Sequence, residues 1–317
     1  MKIAVAGAGV AGSFLASRLS DAGYVVDLYD LPAQTACRAS PCAWMATRDF
    51  PAVLEAEGLE PEKYVIEHFD AFFLQEQRLE ADLMTIHKPA LLADLRGEVG
   101  VRTGRPDLSE YGRVIDATGT ARAYLPAITG DDFCRCVQFR VQGGDRAPSL
   151  PSVRYVHGGY AWSFPLGGGE RHVGCLSHLA DPAGLIGETG YLDGEAHCGC
   201  RSRLRVTSPY RAQPFVSGNV CGVGEAIGCT YPLVGDGIVP ALLSARLLLD
   251  HFDDPAGYTQ AVLDAFPGMQ GERTLLERMK AGRRPSPAWI DEVDTSRLGV
   301  RVTPAGVARI LFALIAR

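Results

Sequence analysis

The sequence predicts an α/β fold in which an antiparallel-sheet domain is inserted into a parallel-sheet domain, with a short helical C-terminus. Three observations carry that expectation. The chain opens on a strand, a glycine-rich turn and a helix. From Phe133 to about Arg211 the chain is mostly strand-like, with a run of alternating aromatics in its middle. A second strand, glycine loop and helix follow near residue 220. At 317 residues the chain exceeds one ordinary domain, so one large or two joined domains are expected.

The first element is "KIAVA", Lys2 to Ala6, a short buried strand. It runs into Gly7-Ala8-Gly9-Val10-Ala11-Gly12 and then a helix over Ser13 to Ala22, with Phe14, Leu15 and Leu19 on one face. Gly23 is placed to end that helix. "YVVDLYD" is the second strand and finishes on Asp30. Strand, GxGxxG, helix, strand and terminal acid make a Rossmann-like unit that binds a dinucleotide. Gly7 allows the tight turn, Gly9 lets a pyrophosphate approach the backbone, and Gly12 permits close helix–strand packing. The helix start, with Ala11, offers free N–H groups and the positive end of its dipole to phosphate. Asp30 favours a free ribose 2′-hydroxyl, hence FAD or NAD over NADP.

"LPAQTACRASPCAWMATRDF" is loop-rich, "YVIEHFDAFFLQEQ" reads as strands and "KPALLADLRGEV" as a helix. "GRVIDATG" is a buried strand ending in a turn at Gly119. "GGYAWSFPLGGGERHVG" sets Tyr160, Trp162 and Phe164 on one strand face, then stops at Pro165 and turns through three glycines as a hairpin. The tail from Tyr258 is helical, broken by Pro285 and Pro287. Its last stretch, "RILFALIAR", is amphipathic and suits core packing, or peripheral membrane contact as the alternative.

Bulk properties exclude several classes. A net charge of −6 argues against a nucleic-acid partner, which needs a basic face. The best apolar run, "VPALLSARLLL", is short and broken by Arg246, so no membrane span is expected. The chain enters its first strand at once and leaves no room for a signal peptide, so a cytoplasmic location is expected. Nine cysteines include two CxC pairs, Cys134/Cys136 and Cys198/Cys200. CxC on a strand aims two small side chains the same way and lacks the usual CxxC knuckle, so no metal site is expected. His157, His172 and His178 flank the hairpin and read as surface or structural histidines.

The second glycine cluster, "CGVGEAIG…YPLVGDGI", joins the first fingerprint and "VIDATG" to resemble the FAD-binding pattern of the aromatic-hydroxylase-type flavoprotein superfamily. That resemblance implies FAD held by Gly7, Gly9, Ala11, Gly12, Asp30, Gly119, Gly224, Glu225, Gly235, Asp236, Gly237 and Ile238. The family's strand end commonly reads Gly-Asp, with the carboxylate on the ribitol; here it reads Gly224-Glu225. Within the superfamily, Tyr160, Trp162, Phe164, Pro165 and Gly174 resemble the aromatic motif of the geranylgeranyl reductases, with Leu176 replacing its last glycine. "SPCAWM" is similar to that family's Cys-Gly segment near the flavin, with Cys42 in the Cys position and Ala43 replacing Gly. "KPALLADL" resembles a further motif, with Lys88 where the family has Arg, and the resemblance implies that Ala43 and Lys88 also contact FAD.

The resemblance covers roughly residues 1–250. It implies an FAD-binding domain over 1–130 and 212–250, a substrate domain over 131–211 and a helical region over 251–317. It further implies reduction of prenyl carbon–carbon double bonds, with Cys42 as proton donor or gate and Tyr160, Trp162 and Phe164 as pocket walls. An electron donor, ferredoxin or a reduced nicotinamide, is implied as well. The segment between Leu95 and Arg113 and the region after Leu249 are shorter than in typical members, which suits a smaller or more exposed substrate. Two alternatives stand beside this reading: a flavin monooxygenase or other oxidoreductase on a smaller apolar substrate, and a non-catalytic flavin-binding relic.

Overall fold

The computed structural model describes residues 1–32, 42–145, 147–283, 286 and 299–300. In chain order the first elements are β1 (Lys2–Ala6), α1 (Val10–Asp21), β2 (Val25–Asp30), β3 (Met45–Thr47), α2 (Phe50–Ala56), β4 (Val65–Leu74), β5 (Gln77–Ile86) and α3 (Lys88–Arg96). Next come β6 (Val101–Thr103), β7 (Arg113–Asp116), β8 (Phe133–Gln142), β9 (Ser152–Val156), β10 (Gly159–Pro165), β11 (Glu170–Ser177), α4 (Pro182–Gly187) and β12 (Glu195–Arg205). The chain continues through β13 (Val216–Ser217), β14 (Val220–Gly222), α5 (Ile238–Asp250), α6 (Pro255–Ala265) and α7 (Pro267–Lys280). The "RILFALIAR" tail lies outside the described residues.

These elements divide into two compact units. The first comprises Met1–Ala33, Lys88–Asp132 and Arg205–Arg273; the second comprises Gln34–His87, Phe133–Leu204 and Thr274–Arg317. An α/β fold with an antiparallel sheet inserted between parallel strands is therefore present, as the sequence predicts. The domain boundaries differ from the sequence reading in two places. Residues 34–87 group with the second unit, because β4 and β5 form a hairpin and β4 pairs in parallel with β9 through Phe73 and Ser152. The region after residue 250 is not separate either. In α6, the buried Tyr258 donates its hydroxyl to the Gly222 carbonyl at 2.7 Å and packs edge-on against Phe215.

In the first unit the strand order is β13-β14-β7-β1-β2-β6, parallel except where β13 meets β14. The order reverses beside β1, and ligands bind such sheets at that reversal, beyond the carboxyl ends of the strands. Phe14, Leu15 and Leu19 of α1 are buried as their spacing predicts. Gly23, at φ 86°, closes that helix: its amide donates to Ser20, and the amide of Tyr24 donates to Leu19.

The reversal point is held by missing side chains. A Cβ on Gly7 would lie 2.2 Å from the Ala117 carbonyl oxygen, and one on Gly12 would lie 1.8 Å from that of Gly7. Gly→Ala in a helix ordinarily stabilises by about 1 kcal/mol. At Gly12 the sign reverses, because the obstructing atoms are backbone and have nowhere to go. Gly12→Ala should lose about 1–3 kcal/mol or more, the scale of overpacking, read as a lower midpoint in chemical denaturation.

The second unit is an eight-stranded sheet ordered β12-β8-β11-β10-β9-β4-β5-β3. One face buries Val137, Val141, Ala161, Val173 and Cys175 against Ile186 of α4 and Tyr191. Period two sends their neighbours Tyr160, Trp162 and Phe164 to the opposite face. The β10–β11 hairpin turns through Gly167, Gly168 and Gly169, all at positive φ, and Leu166 and Glu170 close it at 2.8 Å. No helix among the described residues is long and apolar enough to cross a membrane.

Candidate functional site

The first unit presents a cradle made of backbone. The opening amides of an α-helix have no acceptor inside the helix, and those of α1 lie at the reversal point of the sheet. Gly7 and Gly12 are packed hard against protein, but a Cβ on Gly9 would meet nothing within 4 Å. Protein fills the space over two glycines of the fingerprint and leaves it open over the middle one. That space suits a pyrophosphate, with helix amides as donors. Asp30 ends β2, the neighbour of β1; its backbone carbonyl accepts from Gly104 and its carboxylate from Leu31.

Asp116, fully buried at the end of β7, shapes the next loop. One carboxylate oxygen accepts from the Thr118 amide and hydroxyl, the other from the amides of Tyr124 and Leu125. The turn brings Gly119, at φ 62°, to Glu225: a Cβ there would lie 3.3 Å from Glu225 Oε2. Glu225 Oε1 accepts from the Arg205 amide at 2.7 Å. Burial raises the Glu225 carboxyl above its ordinary range; the Arg205 hydrogen bond and the charges of Arg205 and Lys88 oppose that rise. Arg205, itself 1% exposed, ties Glu225 to Asp131 at 2.7 Å and to the Thr120 carbonyl at 2.8 Å.

One oxygen of this longer acid is therefore spent on backbone, and Oε2 is the one beside the Gly119 turn. Gly224 sits 3.5 Å from Ala11 by the same Cβ measure, so small residues let α1 meet this loop. Gly235 and Asp236 lead to Gly237, the N-cap of α5, and Ile238 is its first residue. The second glycine cluster thus opens a helix, as read from sequence.

In the second unit, Tyr160, Trp162 and Phe164 form a run of rings with centroids 6.0 and 6.3 Å apart. The Trp162 indole lies across Gly174 on β11; a Cβ there would be 2.2 Å from the ring. Its Nε1 is buried and meets no acceptor among the described residues. Beyond Gly174 in the same row stands Gln138 of β8, and beyond His172, the partner of Phe164, stands Arg140.

These side chains hold the segment that carries Cys42. Gln138 Nε2 donates to the Cys42 carbonyl at 3.0 Å, and His172 Nδ1 lies 3.2 Å from the Ala43 carbonyl. The Trp44 carbonyl accepts from the Ile86 amide of β5 at 2.9 Å. Trp44 is buried at φ 59°, a left-handed conformation seldom taken by a bulky residue. Its ring stands edge-on to His172 at 4.8 Å, with the Arg140 guanidinium 5.4 Å away. β8 and β5 are five positions apart in the sheet, about 24 Å if it were flat. Three residues span about 10 Å at most. With the Gln138 side chain and the two hydrogen bonds adding to that reach, Cys42–Trp44 crosses the aromatic face like a clasp.

Sequence reasoning identified Cys42 and the three rings but missed Gln138, Arg140 and the left-handed turn, and it gave His172 no partner. The available signal was the period-two placement of Gln138, Arg140 and His172 on the strand face opposite Val137, Val141 and Val173. Cys134 and His178 approach each other, Sγ to Nε2, at 2.7 Å. Among the described residues no group of three or more His, Cys, Asp or Glu side chains is arranged to hold a metal.

A parallel sheet with a glycine cradle at its reversal point in one unit, and an antiparallel sheet in the other, define the class of fold: α/β with a Rossmann-like unit. The chain is 28% identical over 298 residues to digeranylgeranylglycerophospholipid reductase 1 of Methanopyrus kandleri, covering 77% of this chain and 78% of that protein. It shares its fold with a geranylgeranyl bacteriochlorophyll reductase-like protein of Thermoplasma acidophilum, at TM-score 0.70 and 15% identity over 98% and 95% of the two chains. It also shares its fold with a probable FAD-dependent monooxygenase of Pseudomonas aeruginosa, at TM-score 0.57 and 16% identity over 98% and 99%. No protein-family model matches the chain. The sequence similarity agrees with the resemblance to the geranylgeranyl reductases, and the solved structures show the shared fold.

The fit of Trp162 over Gly174 yields a direct test. Gly174→Ala should push the indole off its seat and lose about 1–3 kcal/mol. The near-ultraviolet circular dichroism should change with it. A parental dichroism spectrum would mean the ring does not lie there.

Proposed function

We propose that the chain is an FAD-dependent oxidoreductase that reduces carbon–carbon double bonds of a prenyl lipid. The observation that carries this reading is the convergence of the Cys42 segment and the Tyr160–Trp162–Phe164 rings on one face of one sheet. The first unit would hold FAD: Gly9 and the α1 amides at the pyrophosphate, Asp30 at the ribose, Glu225 Oε2 beside Gly119 at the ribitol, and the Gly237–Ile238 helix start at the flavin ring. Reduced, that cofactor supplies hydride to one alkene carbon.

The remaining tasks fall to side chains. Tyr160, Trp162 and Phe164 offer flat apolar surface to an isoprenoid chain and exclude water from it. The free Trp162 N–H gives a donor for an oxygen atom of the lipid. Cys42 delivers a proton from Sγ to the second alkene carbon and recovers it from solvent, so that hydride and proton together complete the saturated bond. Ferredoxin or a reduced nicotinamide would restore the reduced cofactor.

Gly9→Val tests the cradle. Its side chain would enter open space, so the unfolding midpoint should match that of the FAD-free parent while FAD is lost on purification. A variant that purifies yellow with full FAD content removes the pyrophosphate assignment.

Trp162→Ala and Cys42→Ala test the substrate face. The first should weaken prenyl-lipid binding and leave the flavin spectrum unchanged. The second should keep both ligands but slow single-turnover alkene reduction by about 10²–10⁴, the usual cost of a lost general acid. Oxygen-18 incorporation into an aromatic substrate would instead favour a monooxygenase.

A further inference from the structure

We infer that Gln138 and His172 are positioning residues for Cys42, acting through the backbone of the clasp. The inference rests on the reading of Cys42 as the proton donor. Three consecutive carbonyls, those of Cys42, Ala43 and Trp44, are each engaged from a different strand, β8, β11 and β5. Gln138 is 8% exposed and His172 5%, on the face that carries Tyr160, Trp162, Phe164 and Gly174. Burying an amide and an imidazole costs free energy unless each has a partner. A carbonyl only accepts, so His172 carries its proton on Nδ1, toward Ala43.

The turn at Trp44 explains why two donors are needed. A left-handed bulky residue is strained and persists only where its surroundings hold it. On the carboxyl side the Ile86 amide and the β3–β5 ladder hold it. On the amino side, among the described residues, the hydrogen bonds from Gln138 and His172 hold it. Removing either donor frees the carbonyl next to Cys42 and lets the segment relax toward ordinary φ. The aromatic floor, built by β10 and seated on Gly174, would stay in place. Loss of the pin should therefore slow turnover and spare binding, which a general loss of packing would not do.

The test uses the full-length, FAD-loaded protein. Gln138→Met keeps length and removes the N–H; His172→Leu removes the imidazole donor; His172→Asn restores an N–H at similar reach. Two readouts are taken: single-turnover alkene reduction with a prenyl lipid, and native-state alkylation by iodoacetamide of tryptic peptide 39–48, in which Cys42 is the single cysteine. Gln138→Met and His172→Leu should slow reduction by about 10- to 100-fold, the scale of a catalytic group misplaced by about an ångström. Lipid affinity and FAD content should hold, Cys42 alkylation should change several-fold, and His172→Asn should recover both readouts toward parental. Parental turnover in both donor-lacking variants overturns the inference, as does an asparagine variant no better than leucine. Parental reduction by Cys42→Ala sinks the underlying reading instead, and the alkylation rates then show separately whether the segment had been pinned.

Discussion

The close approach of three backbones at the β1 turn is the constraint on which the first unit depends. Gly7 abuts the strand end at Ala117, and Gly12 abuts Gly7. With any larger residue α1 would stand off from the sheet, and its first amides would no longer lie at the reversal of strand order. Asp116 fixes the facing loop through four hydrogen bonds, so both walls of the crevice are set by groups that cannot drift. The open space over Gly9 is what remains once these contacts are satisfied.

The second unit solves a different problem. Its sheet has two faces that both need covering, and period-two alternation decides which residue goes where. Ala161, Val173 and Cys175 meet α4, while Trp162 and Phe164 face the other way, toward the clasp side. That second face is covered in part by the chain itself, and a chain segment on a sheet face brings carbonyls that need donors. Gln138 and His172 answer that need.

What could be read from the sequence follows the range of the interaction. The βαβ unit, its C-terminal Gly23, the hairpin at Gly167–Gly169 and the helix start at Gly237 all rest on neighbours within a few residues, and all are present as read. The membership of residues 34–87 was not legible, because Phe73 meets Ser152 across the chain and no local pattern announces that pairing. Gln138 and His172 were opaque for the same reason: their partners lie 96 and 129 residues away. Trp44 was opaque for another, since nothing in a bulky side chain signals a positive φ. At Glu225 the sequence showed the departure from aspartate, but not that the Arg205 amide takes up the extra reach.

The two units also differ in how freely their sites can change. The cradle acts through amides and through missing Cβ atoms, so it dictates glycine at a few positions and is indifferent to most others. Such a site keeps a readable fingerprint while the rest of the chain diverges, which is consistent with a shared fold at 15% identity. The aromatic face acts through side chains, and each can be exchanged if its seat is exchanged with it. Trp162 needs Gly174 beneath it, and the Cys42 segment needs donors on β8 and β11. These are pairs rather than single residues, so identity at one position says little unless its partner is also present. Trp162 together with Gly174 therefore says more about how this face is built than either residue alone, and the same standard applies to Cys42 with Gln138 and His172.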